Sequence, residues 1–317
     1  MKKFYLIPVL LLSLPALAID WTARDERDIY DLMYLPKAGT IFGQTYYVSA
    51  AAKSEVKQSG VKLAEVEVAQ VSIEQLAGYS FSDRLAAAVR IDYQLNQTAE
   101  VDFEGLTPDR EEESKGVGDP KLEVKYRLLD QTTYGINMDI TPSASFKTGD
   151  AESATVNDDG NNKSGRNSFE LDLTIGKKFT ETQWAAFISY EHLEENTSKD
   201  ATSKLKSKEK SHGSVYVGGA FQRHMSEKWI FDIAAIYSVS GAHKNEAEDN
   251  TFTKFPSIGS LSLNPQVTYA SSKDLAFLIR LDLVSTADYK TKDETGSETE
   301  YEENSGANLL LGAKYQF

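Results

Sequence analysis

The 317-residue chain has no cysteine, which excludes disulfides, thiolate metal sites and cysteine nucleophiles together. Long apolar runs are absent after residues 4–14. With a mean hydropathy of −0.42, nothing later approaches the ~18 residues that a membrane-spanning helix needs, so a helical membrane protein is excluded. Positive charge is scarce. Lys and Arg number 34 against 48 Asp and Glu, a net charge of −14, and nucleic acid is not an expected partner at that balance. Histidine is limited to four residues. His192, His224 and His243 form no metal-ligand spacing along the chain, and no metal or cofactor is expected.

The segment at the start is of the targeting kind. Lys2 and Lys3 precede the apolar stretch, and Ala16, Leu17 and Ala18 place small residues at the A-x-A positions of a cleavage site. Residues 1–18 are therefore predicted to be a cleaved signal peptide, with residues 19–38 as a periplasmic N-terminal segment and 39–317 as the folded domain. In residues 19–38, Thr22 is placed to cap a short helix through Ile29, Leu32 and Met33 that Pro36 would stop. Composition leaves open whether this segment stays in the periplasm or enters the domain.

From residue 39 one unit repeats: a two-residue alternation, a short turn, a second alternation, then a long polar stretch. The short turns fall at 81–84, 130–133, 180–182, 226–228 and 271–274, each built from Ser, Asp, Thr, Glu or Lys. The long stretches lie near 52–64, 98–117, 149–166, 194–212, 241–257 and 287–304. Between them the pattern predicts twelve strands, near 40–51, 65–80, 85–97, 118–129, 134–148, 167–179, 183–193, 213–225, 229–240, 258–270, 275–286 and 305–317. Strands of this length, even in number, with strictly alternating short and long connections, predict an all-β, twelve-stranded antiparallel transmembrane barrel. Short turns would face the periplasm and long loops the exterior, in a bacterial outer membrane. The acidity is concentrated in two of those loops, 98–117 and 287–304, which each carry seven acidic and two basic residues.

The strand faces agree with this architecture. Leu275, Phe277, Ile279, Leu281 and Leu283 alternate with Arg280 and Asp282. Phe169, Leu171, Leu173 and Ile175 alternate with Glu170 and Asp172, and Val89, Ile91 and Tyr93 with Arg90 and Asp92. Lys or Arg facing lipid at mid-depth costs ~2–4 kcal/mol, so the charged faces must look inward. The expected lumen lining is Arg90, Asp92, Glu123, Lys125, Arg127, Asp139, Glu170, Asp172, Glu191, Asp232, Arg280, Asp282 and Lys314. Such a lining fits either a charged path for small solutes or an ion-pair network filling a rigid barrel, since twelve strands fall between filled eight-stranded and open sixteen-stranded barrels. Trp184, Trp229, Phe179, Tyr79, Tyr134 and Tyr269 are expected to form an aromatic girdle at the periplasmic interface. The alternation ending at Phe317 resembles the C-terminal strand that the barrel-assembly machinery reads.

Two other chemistries were weighed. His212 and Ser214 share a strand face, the spacing used with an Asn by outer-membrane phospholipase A. Here that face is the inward one, and residues 229–240 offer no Asn. The run NDDGN at 157–161 has the acidic and Gly content of a calcium turn without the rest of an EF-hand. Acidic loops would instead meet solvent, or bridge to lipopolysaccharide phosphates through divalent ions.

The segments KGVGDPKLEVKYR (115–127), TPSASFKTGD (141–150) and SFELDLTIGKKF (168–179) occur in the order found in the outer-membrane family named for the meta-pathway of phenol degradation, and the chain resembles that family over 115–180. The resemblance implies a barrel channel for passive uptake of small, often hydrophobic or aromatic compounds, and no enzyme. An outer-membrane phospholipase and a sealed structural or surface-recognition barrel are the alternatives. Asp119 and Asp150, at the two ends of the hairpin so formed, are expected together at the extracellular rim, marking solute entrance or shaping loops. Expected partners are outer-membrane lipid and lipopolysaccharide, the assembly machinery and a small solute.

Overall fold

The computed structural model describes residues 28–103, 110–153, 160–200, 206–248 and 251–317; the predicted signal peptide and Thr22 lie outside them. Twelve strands form the wall: β1 Ile41–Gln58, β2 Val61–Ser82, β3 Leu85–Phe103, β4 Lys121–Leu129, β5 Asn137–Ser145, β6 Ser168–Lys178, β7 Thr182–Leu193, β8 His212–His224, β9 Trp229–Ser240, β10 Ile258–Ser272, β11 Leu275–Thr286 and β12 Glu298–Gln316. Each pairs antiparallel with its sequence neighbour, from Ile41↔Tyr79 between β1 and β2 to Leu275↔Tyr315 between β11 and β12. Closure comes from β1 against β12, in register from Phe42↔Gln316 to Gln58↔Thr299. The last residue completes the ladder, with Phe317 N donating to Ile41 O at 2.8 Å and Ile41 N to Phe317 O at 3.1 Å. A closed sheet leaves no unpaired edge in lipid, where each unsatisfied backbone group would cost several kcal/mol.

Side-chain exposure follows the two-residue period. Phe169, Leu171 and Leu173 are exposed on the outer wall of β6, as are Phe277, Ile279, Leu281 and Leu283 on β11, whereas Asp232, Asp282 and Gln222 are buried. This inversion of a soluble protein's order is stable only where lipid covers the outside. At the periplasmic end Trp184, Trp229, Tyr79 and Tyr134 are exposed, and Trp229 lies 5.1 Å from Tyr269, ring centre to ring centre. Phe179 departs from the expected girdle. It is 7 % exposed, because its backbone closes the β6–β7 turn with Phe179 N donating to Thr182 O at 2.7 Å.

Most of the stretches expected to be long loops are strand continuations. β1 and β2 run on past the predicted membrane crossing and meet in a two-residue turn, where Ser59 and Gly60 have φ of 54° and 79°. Both positive values suit the tight turn that matches strand twist, and Gly adopts one without steric cost. Likewise Arg110–Val117, Ala151–Ser153, Gly160–Asn161, Asn196–Asp200, Lys206–Glu209, His243–Ala247, Phe252–Phe255 and Tyr289–Asp293 extend the wall above the bilayer. At the other end, the turn after β4 is a single helical turn, α1 Gln131–Tyr134, capped by the Asp130 side chain accepting from Thr132 N.

Residues 28–38 are the largest departure from expectation. No helix forms over the described part of the segment; it folds as successive turns inside the periplasmic end of the barrel. Ile29 is 2 % exposed and Leu35 0 %.

Candidate functional site in the barrel lumen

Most of the charged residues read as inward find a partner on a nearby strand of the wall. Arg90 on β3 reaches Glu123 on β4, Nε to Oε1 2.9 Å, with Glu74 on β2 at 3.7 Å. Arg127 on β4 grips Asp139 on β5 through two bonds of 2.7 and 3.0 Å, and Lys125 reaches the same carboxylate at 3.2 Å. Glu170 on β6 holds Lys121 at 2.5 Å and accepts from Ser189 at 2.8 Å, one residue pair away from Asp172. Tyr216 donates to Glu191 at 3.1 Å. Asp232 on β9 accepts from Gln222 on β8 and Gln266 on β10, at 2.5 and 2.8 Å. Arg280 and Asp282 pair within β11 at 2.8 Å, and Asn264 also donates to Asp282. Asp92 accepts from Asn162 of an extracellular loop at 2.5 Å. Apart from the Arg280–Asp282 pair within one strand and the loop contact of Asp92, these bonds run along the wall between strands next to each other or one apart.

Lys314 is different. Among the described residues it makes no ion pair, although it lines a cavity of about 210 Å³. Phe42, Leu76 and Leu35 are apolar lining, Arg90, Lys125 and Lys314 supply cations, and Asp31 and Glu123 supply carboxylates, of which Glu123 is already bonded to Arg90 and Asp31 to Lys178.

What crosses the lumen is residues 28–38. Lumen donors hold its backbone carbonyls: Arg127 Nη2 to Met33 O at 2.6 Å, Lys125 Nζ to Tyr34 O at 2.9 Å, Gln222 Nε2 to Tyr30 O at 2.8 Å and Ser80 Oγ to Pro36 O at 2.9 Å. Lys178 clasps Asp31 at 2.8 Å and Asp28 at 3.1 Å, Gln183 donates to Asp31 at 2.6 Å, and the Tyr34 hydroxyl bonds Gln316. Burial pushes the Asp31 carboxyl up to about 6, against the opposing pull of Lys178. It raises the Tyr34 phenol too, with Asp274 and Asp31 adding to the shift. Of these contacts, the sequence marked only Arg127 and Lys125, as lumen-lining.

At the outer rim, Asp119 accepts from the backbone and hydroxyl of both Thr148 and Ser164, at 2.6 to 2.9 Å. Burial alone would raise its carboxyl, but these bonds outweigh it and hold the group below the usual range. Asp150, two residues beyond Thr148, pairs with Lys147 and Lys199 and is held down to about 2 by them. Both aspartates thus tie the hairpin to neighbouring loops. His212, paired in the sequence reading with Ser214, instead stacks on His243, 31 residues away, at 4.3 Å between ring centres. Its Nδ1 lies 3.3 Å from Lys210 O and 3.5 Å from Glu209.

Comparison with solved structures finds one outer-membrane channel of similar fold, with further barrels at lower similarity. The outer membrane channel COG4313 from Pseudomonas putida F1 is 13% identical, covering 93% of this chain and 100% of its own, with a TM-score of 0.56. The Ralstonia pickettii toluene transporter TbuX is 11% identical over 89% of this chain and 90% of its own, TM-score 0.42. A FadL homologue of Pseudomonas aeruginosa is 8% identical over 87% and 90%, TM-score 0.43. No curated protein sequence matches the chain. The family described as Membrane bound beta barrel domain (DUF5777) matches residues 69–264, and with its closed twelve-stranded wall the chain belongs to that family, as an outer-membrane β-barrel.

Proposed function

We propose that this barrel is a passive outer-membrane channel for small organic solutes, closed at its periplasmic end by residues 28–38 in the conformation described. The observation that carries this is where the closure comes from. The charged side chains bond mainly along the wall and leave the crossing to a short segment, held through four backbone carbonyls and the side chains of Asp28, Asp31 and Tyr34. A structural barrel filled by its own ion pairs would bridge the lumen with them. A segment outside the wall's ladder can leave without breaking a strand pair, which suits a gate.

The cavity beside the seal suggests the solute class. An apolar side facing the unpaired Lys314 fits a small amphiphile with one negative group, such as an aromatic acid. Transport here involves no chemistry. The His212–Ser214 spacing is spent differently, with the His212 ring stacked on His243 rather than poised as a base. The acidic extracellular hairpins suit divalent-bridged contact with lipopolysaccharide phosphates, and the strand ending in Phe317 suits handling by the assembly machinery. Single-channel recording in planar bilayers, with aromatic acids added as blockers, tests the central claim. Discrete conductance steps that such acids block are expected; absence of steps in any salt refutes it.

A further inference from the structure

Above the bilayer, the end of one strand extension, the start of β8 three residues later and a strand 31 residues further on meet on one face of the wall. Glu209 ends Lys206–Glu209, His212 opens β8, and His243 opens His243–Ala247. Register sets the meeting. Glu209 lies opposite Asn196 on one side and Asn245 on the other, and directly opposed residues project from the same face. His243, two residues before Asn245, shares that face.

The donor atoms are already close. Glu209 Oε1 is 3.5 Å from His212 Nδ1 and 3.9 Å from His243 Nε2, and one ligand atom from each of the three lies within 4.8 Å of the others. A tetrahedral zinc-type ion with bonds of ~2.0–2.2 Å spaces its donors by ~3.3–3.6 Å; because the two imidazoles stack nearly parallel, His212 must turn out of the stack for both rings to face one ion. The His243 ring is held for this. Its Nδ1 faces Gly241 O at 3.2 Å, the outer carbonyl contact typical of metal-bound imidazole, and its Nε2 faces Glu209. Phe255 covers the ring's other side at 4.8 Å.

A second observation points to a missing cation. The amide oxygens Asn196 Oδ1 and Asn245 Oδ1, flanking Glu209, are both buried without a hydrogen-bond donor. Unsatisfied buried acceptors are costly, and a coordinated ion would satisfy one or both. The cation now present is Arg166, whose Nη1 lies 2.9 Å from Glu209 Oε1. It sits on Oε1, the oxygen nearest both imidazoles, so an incoming ion must displace it there or take Oε2.

We propose that Glu209, His212 and His243, with the amide oxygen of Asn245, bind a divalent transition-metal ion of the zinc class. The ion would join the two extracellular hairpins around 194–211 and 241–257. Two imidazoles and a carboxylate select such ions over calcium or magnesium, and Arg166 acts as the competing internal cation.

The test uses the full-length folded protein in detergent, stripped with a chelator. It is titrated with Co²⁺, read by visible absorption, and with Zn²⁺, read by calorimetry. One ion per chain is expected, with the intense Co²⁺ bands of a tetrahedral site that Zn²⁺ abolishes. His212→Ala and His243→Ala should each weaken binding by about 100-fold or more, while His192→Ala and His224→Ala leave it unchanged. Arg166→Gln should tighten binding, and this variant leaves the proposed ligands intact if an alanine variant fails to fold. Absence of saturable one-to-one binding overturns the proposal. So does equal binding by a folded His212→Ala/His243→Ala double variant, or by Ca²⁺ at matching affinity.

Discussion

If residues 28–38 are a gate, loosening their apolar anchors should open the channel without harming the wall. Ile29 and Leu35 are the anchors, at 2 % and 0 % exposure, and neither belongs to a strand. Truncating a buried Leu or Ile to Ala costs ~2–5 kcal/mol, so the Ile29→Ala/Leu35→Ala double variant should lose at least ~4 kcal/mol of docking. At 1.4 kcal/mol per decade, that raises the undocked fraction by about 10³-fold. Two measurements read it. In planar bilayers the fraction of time spent conducting should rise steeply. In detergent, protease should cut near residues 28–38 faster in proportion, because cleavage follows the population of the open form when closing is fast. Unchanged mobility of the unheated protein in SDS gels establishes that the barrel itself has folded. A folded double variant with wild-type conductance and wild-type cleavage would refute the gate.

Asp31 should make the gate pH-sensitive. Its carboxyl titrates near 6 when docked, against an ordinary 3.8, so the docked state binds the extra proton. Docking should therefore strengthen as pH falls through 6 towards 4 and be weakest above 6. Protease cleavage at 28–38 should slow on going from pH 7.5 to 5, and Asp31→Asn should flatten that profile; a rate that rises with acid counts against the assignment. Lys314→Ala removes the unpaired cation of the cavity, and loss of one charge-assisted contact of ~1.5–3 kcal/mol should weaken block by benzoate about 10- to 150-fold. Block by uncharged phenol should barely change, and equal effects on both would remove the anion preference. Gly78 sits beneath the Phe42 ring and 2.7 Å from Ala87 O as judged from where a Cβ would lie, so Gly78→Ala should destabilise the barrel by ~1–3 kcal/mol in urea unfolding. A neutral effect would mean that the sheet yields there.

The strands were legible because each crossing has lipid on one side and water or protein on the other. That environment imposes an unbroken period of two, and Phe169, Glu170, Leu171 and Asp172 could hardly be read otherwise. Above the bilayer the outer face meets water, and the constraint lapses. In the β1–β2 hairpin, Lys53 bonds the half-buried Glu65 and the exposed Glu67, so a polar stretch looks like loop when it is strand. Period two also says which face a charge occupies but not what it touches. Arg90 and Arg127 were both placed inward, yet only the register between β4 and β5 gives Arg127 the carboxylate of Asp139.

The seal and the histidine cluster lie beyond such reading for a related reason: each depends on partners that the local pattern does not name. Four of the contacts, at Tyr30, Met33, Tyr34 and Pro36, are accepted by backbone carbonyls, which any residue supplies, so no side-chain pattern marks those four. The available signal was the apolar set Ile29, Met33 and Leu35 in a stretch too short to fold alone, which had to be buried somewhere. His212 and His243 are 31 residues apart, and the distance between them is set by how far two hairpins rise above the membrane. Extended as loops, they would leave the histidines unrelated; paired as strands, with Lys210 N bonded to Lys244 O at 2.8 Å, they bring both rings to one carboxylate. The error over loop and strand above the bilayer is therefore the same error that hid the cluster, because the register of those extensions is what assembles it.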